Sequence, residues 1–376
     1  MTDFLIFLGV SVSCIYAMIF LFAVIGFFKP ASSVKSNADV QVGGISLLIP
    51  FRNEAGSLPI LFDSLKKIEF KGDWEIIFIN DHSSDEGPVF IQENSGSLPA
   101  PLRVINLDPD SKGKKMAIAK GVKGSQFPNI LVSDADCVLP PDFLHASNEG
   151  FKKGFDLFFG PVFLKGNPFR PVQELEQGAL TVLGLGLGKM GIHVLGSGAF
   201  MGFKSSFFVE ARGYQGNEAI ASGDDMFLLS AAKRMGKKIG RLNPRKGHQL
   251  TEGCSGIKEY FAQKVRWAGK VHFLNDKQIS GLGMLWVLNY VFLLVIPIIF
   301  LLGKSTHLPV VFIFGIRLFF DFLLVFLASL VRKRIFVLLW FIPAWILIFF
   351  SYPMIIGLLI FSHKTTWKER PLIFGK

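Results

Sequence analysis

The chain has 376 residues, half of them hydrophobic, and its 40 basic and 29 acidic residues give a formal net charge of +11. With a mean hydropathy of +0.43, this composition excludes an intrinsically disordered chain and argues against a purely soluble domain. The three scattered cysteines exclude a disulfide framework and a Cys-x-x-Cys zinc site, and they fit a reducing compartment.

An uncharged apolar segment occupies residues 4–28. It is long enough to cross a bilayer as a helix and too long for a cleaved signal peptide, and Asp3 stands where such a peptide carries basic residues. Lys29 and Lys35 follow it, so the positive-inside rule places its C-terminal end in the cytoplasm. We expect a transmembrane anchor over residues 1–35.

Short apolar runs alternate with helical patterns through residues 36–277, which we expect to form a cytoplasmic domain. The predicted strands are residues 45–50, 75–80, 102–107 and 130–133, and the predicted helices between them include 58–68 and 115–123. This alternation predicts an α/β fold with a mostly parallel, Rossmann-like sheet covered by helices on both faces. Ligands of such sheets bind at the carboxyl ends of the strands.

Polar residues follow each of these strands. Asp134 and Asp136 come after the fourth strand, where carboxylates can hold Mg²⁺ or Mn²⁺ together with phosphate, although a solvated Asp turn is the alternative. Asp81 lies in an Asx-rich loop after the second strand and could contact a base or a ribose. The remaining candidates follow the first and third strands, where a lysine could neutralise a diphosphate or simply be solvated: Pro50, Arg52, Glu54 and Lys114.

Two further motifs lie in the second half of this region. Asp224 and Asp225 precede a helical pattern, where carboxylates either cap the helix or serve as a general base. Gln263, Arg266 and Trp267 share one face of a predicted helix, which suits contact with a sugar and a diphosphate or anchoring at the membrane interface.

A Gly-x-Gly-x-x-Gly pattern at residues 186–191 follows a helical segment, where a dinucleotide site requires a strand. We therefore expect no dinucleotide site there, and we expect instead a flexible glycine-rich loop near the acceptor.

Residues 278–376 contain three more apolar runs, at 282–302, 308–331 and 335–361, followed by a basic tail. Arg317 and Asp321 are four residues apart in the second run, so they can pair against other helices or contact a polymer or lipid head. About three C-terminal transmembrane helices would place the tail opposite the middle domain, unless the third run is not a simple span.

The ordered motifs at residues 49–54, 80–85, 113–114, 134–136, 223–225 and 263–267 resemble those of the membrane-anchored inverting glycosyltransferases of family 2, which have a GT-A fold. The resemblance covers about residues 44 to 267 and extends to the flanking apolar helices. It implies a GT-A domain flanked by transmembrane helices, and a cytoplasmic membrane location with the domain in the cytoplasm.

The resemblance also implies a role for each motif. Asp225 would be the general base, with Asp224 beside it, and Asp136 would bind the metal together with Asp134. The nucleotide sugar would contact Pro50, Arg52, Glu54, Asp81, Lys114 and Asp134. The diphosphate and the acceptor would contact Gln263, Arg266 and Trp267.

The expected reaction moves a sugar from a UDP- or GDP-linked donor to a lipid-linked or carbohydrate acceptor, with inversion. A processive polysaccharide synthase is one alternative, although four spans are few for a closed channel. A non-catalytic nucleotide-binding scaffold or lipid transporter is another, and the aspartate set argues against it. We expect no nucleic-acid partner, because no basic stripe carries interleaved aromatic residues.

Overall fold

The computed structural model describes residues 2–29, 43–166, 170–218, 220, 222–361, 364–367 and 370–373. Within these ranges the helices are α1 (Thr2–Phe28), α2 (Leu58–Leu65), α3 (Gly87–Asn94), α4 (Lys114–Gly124), α5 (Phe143–Lys152), α6 (Pro171–Lys189), α7 (Ser205–Glu210), α8 (Asp224–Arg234), α9 (Ile257–Gly269), α10 (Lys277–Leu301), α11 (His307–Arg332) and α12 (Phe341–Phe361). Short 3₁₀ helices are Ser95–Ser97, Lys270–Phe273 and Ile335–Trp340. The strands are β1 (Ile45–Phe51), β2 (Trp74–Asn80), β3 (Leu102–Asn106), β4 (Asn129–Val132), β5 (Leu157–Phe159), β6 (Val162–Leu164), β7 (Met201–Lys204), β8 (Ile239–Arg241), β9 (Gln249–Thr251), β10 (Lys364–Trp367) and β11 (Arg370–Ile373).

The largest sheet in the described ranges has seven strands in the order β3-β2-β1-β4-β7-β5-β8. Neighbouring strands from β3 to β4 are parallel, whereas β7 runs antiparallel to both β4 and β5. The α/β fold with a mixed, Rossmann-like sheet is confirmed. Because β1, β2 and β4 are parallel neighbours, their carboxyl ends meet at one edge, where the polar residues that follow them gather.

The central strands are buried because helices cover both faces of the sheet. Six of the seven residues of β2 are buried, and β1 and β4 are nearly or wholly buried as well. One face packs on α4 and α8, and the other packs on α2 and α5. An uninterrupted run of aliphatic residues is the sequence pattern of a strand covered on both faces, which is why these strands were predictable.

The glycine-rich segment near residue 186 is helical, so the expected flexible loop is wrong for Gly186 and Gly188. Both lie in α6, where a side chain would meet a neighbouring element. A Cβ at Gly186 would lie 2.0 Å from the carbonyl oxygen of Ala23, and one at Gly188 would contact the Arg241 side chain. These glycines therefore permit close approach of α6 to α1 and to β8.

Four helical segments in the described ranges are long and apolar enough to cross a membrane, at Thr2–Phe28, Lys277–Leu301, His307–Arg332 and Ile335–Leu358. They correspond to the four apolar runs of the sequence.

A polar cluster joins these helices through the Arg317–Asp321 pair. The Asp321 carboxylate is 2.7 Å from the Arg317 guanidinium and accepts hydrogen bonds from the Tyr16 hydroxyl and the Trp345 indole. Arg317 also donates to the side chain of Asn289. Since each charge is compensated by groups of neighbouring helices, the arrangement fits the structural interpretation of this pair.

Candidate active site

A cavity of about 490 Å³ lies at the carboxyl edge of the sheet. Its wall contains every one of the site residues that the sequence predicts. These are Pro50, Arg52, Glu54, Asp81, Lys114, Asp134, Asp136, Asp224, Asp225, Gln263, Arg266 and Trp267. The six motifs, which span more than half of the chain, therefore meet in one space.

The loops after β1 and β2 are joined to each other, and both contribute to the wall of this cavity. Arg52 donates to the backbone carbonyl of Asp81 at 2.9 Å, and the amide of Ala55 donates to the Asp85 carboxylate at 2.7 Å. Asp81 is buried and accepts the backbone N–H of Gly113 at 3.0 Å, just before α4. The Asx-turn interpretation of this loop has support as well, because the Asn80 side chain accepts the amide of Ser83.

Lys114 links the aspartates after β4 to those of α8. Its ammonium lies 2.5 Å from Asp134 and 3.1 Å from Asp224, and it donates to the carbonyl of Gly198. Burial works to lower the pKa of Lys114, but the two carboxylates outweigh burial and raise it well above its ordinary value. Lys114 is therefore a fixed cation between the two acidic motifs.

Asp224 and Asp225 occupy the first turn of α8, where the helix dipole favours negative charge. Burial works to raise the pKa of Asp224, but Lys114 and Lys270 outweigh it and lower that pKa. Asp225 accepts the backbone N–H of Met226 at 2.8 Å, and its Oδ1 lies 3.3 Å from the Lys270 ammonium.

The α9 motif lies on a helix that also packs against the apolar helix α12. Gln263, Arg266 and Trp267 all contribute to the cavity wall, as their predicted common face requires. Burial lowers the pKa of Arg266, although Cys254 and several carboxylates oppose this effect.

Asp134 and Asp136, which follow β4, are the candidate metal ligands of the cavity. The described residues contain no group of three or more His, Cys, Asp or Glu side chains arranged to hold an ion. Mg²⁺ is usually bound by one or two carboxylates and completed by substrate phosphates. Asp134 and Asp136 in the cavity wall, with Asp134 already holding an ammonium group, fit a cation that binds together with a diphosphate.

The sequence analysis missed further residues of the cavity wall, among them Lys270, Gly198 and Arg241. Lys270 contacts Asp225, and Gly198 faces the Lys114–Asp224 pair so closely that a Cβ there would lie 2.3 Å from the Asp224 carboxylate. Arg241 is buried in β8 and stacks on the Phe159 ring. No local pattern identifies them, since each acquires its position from elements distant in the chain.

Comparisons with known proteins identify the domain. Residues 46–208 match the family Glycosyl transferase family 2. The chain is 30% identical over 122 residues to the dolichol-phosphate mannosyltransferase of Pyrococcus furiosus, which covers 32% of this chain and 34% of that protein. It is 33% identical over 128 residues to the poly-beta-1,6-N-acetyl-D-glucosamine synthase of Staphylococcus epidermidis, covering 34% and 29% of the two chains. Each alignment thus spans about a third of the relative's own length.

A solved structure shows the fold over nearly the whole chain. The mannosyltransferase PcManGT from Pyrobaculum calidifontis, in complex with GDP-Man and Mn²⁺, superposes with a TM-score of 0.55 at 16% identity and covers 92% of this chain and 96% of its own. The chain therefore carries a glycosyltransferase domain of family 2, built on the GT-A fold.

Proposed function

We propose that the protein transfers a sugar from a nucleotide-diphosphate sugar, UDP- or GDP-linked, to a lipid or glycan acceptor at the membrane surface. The observation that carries the proposal is the common cavity, whose wall contains Asp81, the α9 motif and Asp225. The relatives named as a mannosyltransferase and as a polysaccharide synthase support sugar transfer.

In this proposal Asp225 is the general base. It removes the proton of the acceptor hydroxyl as that oxygen attacks the anomeric carbon, and the bond to the nucleoside diphosphate breaks in the same step with inversion. Asp224 is the weaker candidate, because the ion pair with Lys114 lowers its pKa and reduces its basicity.

The leaving nucleoside diphosphate needs positive charge at its oxygens. Lys114 and Arg266 line the same cavity and are fixed donors for these oxygens. A Mg²⁺ or Mn²⁺ ion, held by Asp134 and Asp136, would neutralise diphosphate charge when bound. The nucleotide would lie against the joined loops that contain Pro50, Arg52, Glu54 and Asp81.

The test is release of nucleoside diphosphate from a panel of UDP- and GDP-sugars, using purified membranes with lipid and glycan acceptors. We expect turnover of one donor that requires Mg²⁺ or Mn²⁺ and is suppressed by EDTA. The substitution Asp225→Asn should lower kcat by about 100-fold or more, because it removes the base.

The matched control is Asp63→Asn, which makes the same chemical change at a side chain that is 73% exposed on α2. It should retain wild-type turnover. Full activity of Asp225→Asn, or binding of donors without turnover across the whole panel by the wild type, would overturn the proposal and favour a non-catalytic nucleotide-binding protein.

A further inference from the structure

A buried ion pair joins α6 to α9 in the wall of the cavity. The Lys264 ammonium lies 2.8 Å from Oε2 of Glu176, and both residues are only 7% exposed. The Tyr260 hydroxyl donates to the same oxygen at 3.0 Å, and the Tyr352 hydroxyl of α12 donates to Oε1 at 2.7 Å. Both oxygens of Glu176 are therefore engaged, by groups from α9 and α12.

One member of the pair, Lys264, belongs to the helix that carries the Gln-x-x-Arg-Trp motif. Lys264 follows Gln263 directly, and its ammonium lies 4.3 Å from the centre of the Trp267 ring. Residues 260, 264 and 267 are spaced so that their side chains lie along one side of α9. Holding Lys264 and Tyr260 against α6 therefore fixes the rotation of α9 about its axis, and with it the direction of Arg266 and Trp267.

Further contacts hold the start of α9 to the same helix. The Gln173 side chain exchanges hydrogen bonds with the backbone N–H and carbonyl of Cys254, at 2.8 and 3.1 Å. Arg170 donates to the carbonyl of Gly253 at 2.7 Å. The start of α6 therefore contacts both α9 and the segment that leads into it.

Stability alone gives little reason for this ion pair. Removing two charges from water is costly, and well-packed apolar residues of similar volume are often as stable. Burial and then the Glu176 carboxylate raise the pKa of Tyr260, so its hydroxyl remains a donor. What the charged cluster adds is a defined geometry with directional contacts to α9.

We propose that Glu176 is a positioning residue that sets the orientation of α9, through Lys264 and Tyr260, and that Tyr352 extends this contact to the apolar helix α12. The proposal rests on the proposed function, because the α9 side chains it positions are those assigned to the diphosphate and acceptor. Glu176 itself would act through these side chains and not on the reacting atoms.

The test compares the double variant Glu176→Gln/Lys264→Met with the wild type as purified full-length protein. Removing both charges leaves no unpaired buried ion, so we expect the melting temperature to change little. We expect kcat to fall by about 10-fold or more and the acceptor KM to rise, because misplaced groups lose their alignment. The donor Kd should rise by about threefold at most, because Arg266 is only one of the groups assigned to the diphosphate and the rest of the nucleotide is assigned to the Asp81 loop.

Two controls separate positioning from folding. Lys264→Arg keeps the charge and the aromatic contact, so it should retain near wild-type kcat. Glu174→Gln removes another buried, ion-paired carboxylate of α6, whose partner at 2.7 Å is Arg334 and not α9. It should lower the melting temperature without changing the ratio of kcat to acceptor KM.

Hydrogen exchange of the α9 amides gives a readout that does not depend on turnover. Exchange should be faster in the double variant and unchanged in Lys264→Arg and Glu174→Gln. Wild-type exchange and kinetics in the double variant would overturn the positioning role even if Asp225→Asn is inactive. A wild type without turnover would instead overturn the proposed function, and α9 exchange would still decide the positioning.

Discussion

Asp224 and Asp225 are neighbours in the chain, yet their carboxylates contact different lysines. Asp224 pairs with Lys114 at the start of α4, and Asp225 pairs with Lys270 in the 3₁₀ helix that follows α9. The two acids therefore differ in the ammonium group that each contacts directly. Lys114 also contacts Asp134, whereas Lys270 lies directly after α9, the helix that carries Trp267.

The contact with Lys270 leads to a prediction about Asp225. Lys270→Met removes the cation 3.3 Å from the carboxylate, so the side chain of Asp225 loses a group that fixes its position. We expect kcat for sugar transfer to fall by about 10- to 100-fold with donor binding little changed, because displaced catalytic groups lose alignment. Steady-state kinetics and donor titration measure both quantities.

Lys237→Met is the matched control for this substitution. Lys237 also forms an ion pair, with Glu210 at 2.6 Å, and neither residue lies in the cavity wall. Its kcat should equal that of the wild type. If Lys270→Met also retained wild-type kcat, the contact with Lys270 would have no part in placing Asp225.

At the scale of elements, α6 connects the sheet domain to the apolar helices. It packs against α1, α11 and α12, and it also contributes to the cavity wall. A Cβ at Gly186 of α6 would lie 2.0 Å from the carbonyl oxygen of Ala23 in α1, and a Cβ at Gly26 of α1 would lie 2.1 Å from the carbonyl oxygen of Gly186. Both distances are far shorter than a van der Waals contact. Small residues at such a crossing let two backbones approach closely.

We predict that Gly186→Ala destabilises the protein, by about 1–3 kcal/mol as for other overpacked sites. The added methyl meets the backbone of Ala23, which cannot move aside as a side chain could. Gly315→Ala in α11 is the matched control, because its Cβ enters open space and alanine is the better helix former by about 1 kcal/mol. Thermal unfolding in detergent should show a lower melting temperature for Gly186→Ala than for the wild type, and no decrease for Gly315→Ala. Equal melting temperatures of Gly186→Ala and the wild type would contradict a close crossing of α6 and α1.

The strand ends and the cavity residues were predictable because each signal is local. A polar side chain that interrupts an apolar run, as Asp81 and Asp134 do, marks the end of a strand without knowledge of the fold. Glu176 and Lys270 carry no such signal, since a charged residue in a helical segment is usually solvated. Gly186 was misinterpreted for the same reason: close packing on α1 depends on a tertiary contact that the sequence pattern does not contain.

At the scale of the whole molecule, three apolar helices have one end against the sheet domain. Lys189 donates to the carbonyls of Phe27 and Lys29 at the end of α1. At the start of α10, Lys233 lies 2.6 Å from Asp276. Just past the end of α11, Arg334 pairs with Glu174. Because basic residues follow α1 and α11 at these ends, we predict from the positive-inside rule that the domain side is cytoplasmic.

The last apolar helix also contacts α6 and α9. Its Tyr352 bonds to Glu176 of α6, and its later residues Met354 and Leu358 line a groove together with Ile257 and Phe261 of α9. Strand β10, which follows it, also contacts α9. The segment from Ile335 to α12 starts next to Arg334 and ends against α9, so we expect that it does not carry the chain to the opposite side, although its length would allow a span.

We therefore predict that the C-terminus lies on the same side of the membrane as the sheet domain. A fluorescent protein that matures only in the cytoplasm, fused after residue 376, should fluoresce, whereas alkaline phosphatase fused there should be inactive. The matched control places alkaline phosphatase after Lys304, between α10 and α11, where the chain has crossed once from the domain side and the enzyme should be active. The reverse pattern at the C-terminus would mean that α12 crosses the membrane and that its contacts with α6 and α9 do not hold in the bilayer.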